Sequence, residues 1–228
     1  MDNGDYMKLE FLGHSCFMIY ADKKIIIDPF LSGNPSASKK MEEIKDVDMV
    51  LVTHGHGDHL GDAIEIAKMN NSVLVAMYEI VNYAKTKGVE KVEPMNIGGT
   101  IDVMGIKVTM TNATHSSDFE GGVGHASGFI VNVGDHVVYH AGDTGVFYDM
   151  KLIGEIYRPD ISILPIGSRF TMGIREAAKA VDLLRSEYTI PMHYGTYPAV
   201  DQDPYEFEKA VGERSKVIIL RPGESVSF

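Results

Sequence analysis

The chain reads as an α/β protein, and three observations point there. Short apolar runs rich in branched residues, such as 25–27 and 48–52, read as buried strands. Stretches of helical periodicity lie between such runs, among them 61–69 and 78–87, the second ended by Gly88. Residues able to bind metal fall where strands give way to loops, the place where α/β architectures put their chemistry.

Taken in order, residues 8–11, 16–20 and 25–27 predict three strands, the last two joined by a hairpin connection at 21–24. Gly13-His14-Ser15 interrupts the first two, a position where glycine marks a bend or a close backbone approach. Cys16 reads as a small buried hydrophobe. Residues 30–38 form a polar loop bearing Gly and Pro. The strand 48–52 runs into a histidine-rich turn and then a helix with Asp62 near its start, followed by a strand at 73–76 and the helix 78–87. A strand-rich run begins at 91–94 and continues as a hairpin, 100–103 with 106–110, about Met104-Gly105. Residues 116–127 read as a glycine-rich loop over the site; their glycine order and flanks do not fit a phosphate cradle. A second hairpin, 128–133 with 136–139, turns at Gly134-Asp135. There follow a helix at 147–157, a buried strand at 160–164, and a loop at 165–173 from which Thr171 caps a helix running to Arg185. A strand at 188–192, a helix at 204–211 and a final strand at 216–220 complete the pattern.

The 228 residues show no linker or break in composition, so residues 1–228 are expected to form a single domain. One cysteine excludes an internal disulfide and agrees with a reducing, cytoplasmic setting. Residues 1–6 lack the basic and apolar regions of a secretion signal, and no apolar run approaches a membrane span. A formal charge of −11 with scattered basic residues argues against a general nucleic-acid binder or an adsorber to anionic membranes. Whether the chain forms a homo-oligomer is open.

The densest chemistry is Thr53-His54-Gly55-His56-Gly57-Asp58-His59, spaced His-x-His-x-Asp-His on a strand-to-helix turn. Imidazole plus carboxylate is the ligand mix of zinc and other first-row metals, not of calcium or magnesium. One tetrahedral ion does not readily take four side chains so closely spaced, so the natural division is His54 and His56 on one ion, Asp58 and His59 on another. Three strand ends offer further ligands: His115, Asp143 and His193.

This ordered series resembles the metallo-β-lactamase superfamily of dinuclear metallohydrolases, from the first strand to His193. Leu12-Gly13-His14-Ser15 and Leu31-Ser32-Gly33-Asn34-Pro35 resemble its small uncharacterised metal-dependent hydrolases, related to ascorbate-phosphate lactonase and N-acyl-phosphatidylethanolamine phospholipase D. The resemblance implies a four-layer αββα sandwich. It also implies two divalent ions, zinc foremost with manganese or iron open. His54, His56 and His115 would hold the first ion, Asp58, His59 and His193 the second, and Asp143 would bridge both. Asp28 matches the aspartate that holds the histidine loop without touching metal, and His140 reads as a supporting neighbour. His14 is a candidate catalytic residue with Asp58, as a proton donor or as a structural group, and both roles stay open. Arg169 is a candidate contact for a substrate anion.

The implied reaction is attack by a metal-bridging hydroxide on an ester, lactone or phosphoester, with ions about 3.5–4 Å apart. Two divalent cations outweigh two carboxylates and a hydroxide, so the pocket floor is positive and suits a small anionic substrate. A phosphodiesterase or nuclease acting on nucleotides or RNA is the nearest rival; the acidic charge and the want of a basic arm count against it. A redox di-iron protein or a non-enzymatic metal binder is the rival of another class.

Overall fold

The computed structural model describes residues 6–228. The reading of residues 1–6 as leaderless therefore lies almost wholly outside the described residues. Two compact units emerge, each built on one seven-stranded sheet. The first holds the chain through Ile97, Ser116–His125 and Leu220–Phe228; the second holds Gly98–His115 and Ala126–Ile219.

The first unit opens with an antiparallel meander of β1 (Lys8–Gly13), β2 (Cys16–Tyr20) and β3 (Lys24–Ile27). From β3 the sheet continues in parallel through β4 (Met49–Val52), β5 (Val73–Met77) and β6 (Val92–Met95). The crossovers carry α1 (Gly57–Leu60) with α2 (Ala63–Asn70), then α3 (Tyr78–Thr86). Every residue of β4 is buried, as are Ile25, Ile26 and Ile27, which is why these strands read as unbroken apolar runs without alternation. Cys16 is fully buried, and that burial pushes its thiol well above the ordinary range, as befits an inert core residue.

The second unit begins with β7 (Thr100–Val103) and β8 (Ile106–Asn112), turned at Met104 and Gly105, both of which adopt positive φ. The chain then returns to the first unit for a small hairpin, β9 (Asp118–Phe119) with β10 (Gly122–Val123), inside the stretch expected to be loop. Back in the second unit, β11 (Ser127–Val133) and β12 (His136–His140) extend the antiparallel part. Beyond β12, α4 (Met150–Tyr157), β13 (Ile161–Pro165), α5 (Ile174–Leu184), β14 (Tyr188–Met192), α6 (Pro204–Val211) and β15 (Lys216–Val217) follow in order, and all pairings from β12 onward are parallel. A last strand, β16 (Ser225–Ser227), belongs to the first unit and pairs with the edge of β1. Both sheets thus run from an antiparallel meander into parallel strands, and the expected α/β class with strand ends available for chemistry is what the chain adopts.

Three local expectations need correction, and one strand lies outside all of them. Thr171 does not cap α5. Gly173 precedes the helix, and the Thr171 hydroxyl donates to the Met172 carbonyl. Met172 is buried, its N–H bonds the Thr144 carbonyl and its own carbonyl accepts from Ser168 N–H, so the residues before Gly173 are held in the loop and not in the helix. The helix expected from 147 starts at Met150, because residues 147–149 close a turn through Met150 N–H to Phe147 C=O. The final strand stops at Val217, two residues into the expected 216–220. β16 is too polar, with two exposed serines about Val226, to announce itself by periodicity.

The second unit's core joins Tyr139, Met150, Leu164, Phe207 and Val181 across β12, β13 and the three helices. Gly154 is the closest approach of α4 to α5: a Cβ there would lie 2.5 Å from the Leu184 carbonyl oxygen and 2.8 Å from that of Leu183. Alanine is normally favoured over glycine inside a helix by about 1 kcal/mol. Here the backbone clash wins, so Gly154→Ala is expected to destabilise the protein by about 1–3 kcal/mol in urea unfolding. A rise in the unfolding midpoint would contradict this packing.

Candidate metal centre

β3 and β4 end side by side, and their ends carry the first unit's set of candidate ligands and their supports. Asp28, immediately after β3, is fully buried and takes a left-handed backbone, φ 47°. Its Oδ1 accepts from Thr53 N–H at 2.8 Å, and its Oδ2 accepts from the Thr53 hydroxyl at 2.7 Å. The same Oδ2 lies 2.8 Å from His59 Nδ1. A carboxylate only accepts, so His59 carries its proton on Nδ1 and presents a lone pair at Nε2. Thr53 spends its hydroxyl proton on Asp28, so His54 Nδ1, 3.0 Å away, donates to the Thr53 oxygen. His54 also presents Nε2 as an acceptor. One buried carboxylate thereby sets the orientation of two imidazoles, one directly and one through a hydroxyl, the arrangement that histidine ligands to metals characteristically show.

The other members of the motif gather beside them. His54 Nε2 and His56 Nδ1 face each other at 3.0 Å. On its far side His56 Nε2 lies 3.0 Å from Asp118 Oδ1 and 3.3 Å from Ser116 Oγ. Asp58 and His59 both lie on α1, and Asp58 Oδ2 is 3.1 Å from Nε2 of His14. The ligand atoms of His14, Asp58 and His59 all lie within 4.8 Å of one another. His14 is buried at the β1–β2 bend with φ 59°, its ring edge-on to Phe30. Asp62 stands at the start of α2, as expected, and its carboxylate accepts from the backbone of Leu31 and Ser32, tying the loop after Asp28 to α2.

The second unit carries its own set on β8, β12 and β14. His193, φ 56°, follows β14, and its Nε2 lies 3.0 Å from Asp143 Oδ2. His115 Nε2 approaches the same oxygen at 3.6 Å. Asp143 and His193 are almost entirely buried. Thr144 joins the two loops: its hydroxyl accepts from Thr114 N–H at 2.9 Å, and Gly145 N–H returns a bond to the Thr114 carbonyl at 3.1 Å. His140 Nδ1 accepts from Gly142 N–H at 3.2 Å and so shapes the turn that carries Asp143. Gly167 must be glycine, because a Cβ there would sit 3.0 Å from His193 Nδ1 and closer still to its carbonyl oxygen. Arg169 is exposed on the next loop, its guanidinium 5.6 Å from the Phe170 ring centre, outside these hydrogen-bonded sets.

The donors suit a first-row divalent ion. Ligands about 2.0–2.1 Å from a tetrahedral ion stand about 3.3 Å from each other. The separations of 3.0 Å for His54–His56, 3.0 Å for His193–Asp143 and 3.6 Å for His115–Asp143 bracket that edge. The four imidazoles and one carboxylate of these pairs are borderline-soft to hard donors of the kind zinc, manganese and iron accept. Sequence reasoning missed Thr53, Ser117, Asp118 and Thr144. Thr53 stands within the motif and could have been found there; the other three act through hydrogen bonds from loops that carry no pattern.

The Beta-lactamase superfamily domain profile matches residues 23–194. A protein of Methanopyrus kandleri named a UPF0173 metal-dependent hydrolase is 54% identical, over 96% of this chain and 99% of the relative. One of Pyrococcus abyssi with the same name is also 54% identical, over 97% of this chain and all of the relative. Among solved structures, Igni18, described as a novel metallo hydrolase from the archaeon Ignicoccus hospitalis, superposes with a TM-score of 0.89 at 38% identity, covering 98% of both chains. The chain belongs to the β-lactamase superfamily, as one of the UPF0173 metal-dependent hydrolases.

Proposed function

We propose that this hydrolase works with two divalent ions and cleaves an ester, lactone or phosphoester bond in a small anionic substrate. Zinc is the first choice of metal, with manganese and iron as alternatives. His54, His56 and His115 are assigned to one ion, Asp58, His59 and His193 to the other, and Asp143 to both. Bound ions of this kind lower the pKa of water and polarise a substrate oxygen. The observation that carries the reading is the Asp28 array, in which a buried carboxylate accepts the Nδ1 proton of His59 and the hydroxyl proton of Thr53, whose oxygen in turn accepts from His54 Nδ1, so that Nε2 of His54 and of His59 is left as an acceptor.

The remaining roles belong to the protein's own side chains. His14 donates from Nε2 to Asp58 and holds that carboxylate in one orientation, so it is assigned to positioning Asp58. His140 holds the Asp143 turn through its Nδ1. Two dications outweigh Asp58 and Asp143, so the site favours the anionic end of a substrate. The chain's net −11 acts only at longer range, where physiological salt screens it beyond about 8 Å. Arg169, exposed on the loop after β13, is assigned to a substrate anion.

Metal analysis of the purified protein is expected to find two equivalents per chain. Asp143→Ala and His115→Ala should each lower that content and abolish hydrolysis across a panel of lactones and bis-p-nitrophenyl phosphate. Full turnover by a chelator-stripped His54→Ala protein would refute the reading. Asp28→Asn keeps the shape but sets an amide N–H against a ring N–H. It should weaken metal affinity by about 10–100-fold, and it should cost about 1–3 kcal/mol of stability through the unsatisfied buried groups.

A further inference from the structure

We propose that Asp118 is a positioning residue for the metal centre, its carboxylate accepting the Nε2 proton of His56 so that Nδ1 faces the ion, with hairpin β9–β10 clamped against α3 to keep it there. The inference rests on the metal-dependent reading above.

The three histidines of the loop are not held alike. His54 and His59 are oriented from inside, through Thr53 and Asp28. His56 turns its Nδ1 toward His54, which leaves Nε2 on the outer side, where Asp118 Oδ1 stands at 3.0 Å. A carboxylate behind a ligand ring fixes its tautomer and raises its basicity. Ser116 Oγ approaches the same atom at 3.3 Å, longer and uncharged, and is the weaker partner.

An exposed ion pair ordinarily contributes little, because two flexible side chains must be ordered to make it. Asp118 is 72% exposed, so its effect depends on how firmly its backbone is held. That backbone is anchored on both sides. Gly55 N–H donates to Ser117 Oγ at 3.0 Å, and Gly124 N–H donates to the Ser117 carbonyl at 3.0 Å. Phe119 packs so closely on the metal loop that a Cβ on Gly55 would come within 2.6 Å of its ring. The same ring lies 5.4 Å from that of Tyr83 on α3. At the hairpin tip the Tyr83 hydroxyl donates to Glu120 at 2.6 Å, and Lys87 adds a contact at 3.3 Å. The Tyr83 hydrogen bond holds the Glu120 carboxyl below its ordinary value, so this clamp stays ionised at neutral pH. The hairpin is thus fixed to the histidine loop through Ser117 and Phe119 and to α3 and its C-terminal Lys87 through Phe119 and Glu120, which restrains the backbone that carries the Asp118 carboxylate.

The test measures zinc affinity by chelator competition, together with the visible spectrum of the cobalt-substituted protein, in wild type and four variants. Asp118→Ala should weaken retention of one ion by about 10–100-fold and alter the cobalt spectrum, with far-UV circular dichroism unchanged. Asp118→Asn keeps an acceptor oxygen and should recover part of the loss. Tyr83→Phe, which touches no ligand, should cost about two- to fivefold, the worth of one exposed hydrogen bond. Ser116→Ala should lie closest to wild type. Wild-type affinity and spectrum in Asp118→Ala would overturn the proposal and leave the metal-dependent reading standing. A wild-type protein that binds no metal would overturn both.

Discussion

A fully buried carboxylate that accepts three hydrogen bonds is the constraint on which the rest depends. Asp28 takes the Thr53 amide, the Thr53 hydroxyl and the His59 ring N–H, all at 2.7–2.8 Å. An ionised group in a dry interior is tolerated only when it is so compensated. The compensation here consists of the residues that begin and end the His-x-His-x-Asp-His turn. Stability and site geometry therefore rest on the same bonds, and the loop cannot relax without exposing an unpaid charge.

Backbone strain falls where this logic predicts. Among the described non-glycine residues with positive φ, Asn71, Arg158 and Arg185 close helices in the ordinary left-handed way. His14, Asp28 and His193 have no such excuse: each sits at the end of a strand and carries a side chain of its own unit's candidate set. Non-glycine residues in this region persist when their surroundings over-determine them, and they cluster at functional sites. Neighbouring glycines make the turns passable. Gly13 would drive a Cβ into the Ser36 carbonyl, and Gly167 would drive one into His193.

The two sheets repeat one plan, a meander followed by parallel strands, and each places candidate site residues at the carboxyl ends of parallel strands. β3 and β4 deliver Asp28 and His54 in the first unit; β12 and β14 deliver Asp143 and His193 in the second. Parallel neighbours end on the same side of a sheet, so consecutive βα loops meet without long excursions. His115 departs from the plan, since it follows β8, which pairs antiparallel with β11. The Thr114–Thr144 bonds supply what strand direction does not, joining its loop to that of Asp143.

Residue by residue, the sequence by itself determined most strands of the two large sheets, the α/β class and the kind of chemistry. Buried parallel strands are continuous apolar runs, helices announce themselves every third or fourth position, and His54, His56, Asp58 and His59 stand within six positions. These are local signals, and local patterning carries them. Tertiary structure alone decided which atoms of those residues are used and what holds them. The Asp28–Thr53–His59 array spans thirty-one positions, the Asp118–His56 pair crosses two loops, and the hairpin around Glu120 hides in a stretch that reads only as glycine-rich. A hydrogen bond is settled by a few tenths of an ångström and an angle, quantities that exist only once distant segments have been brought side by side.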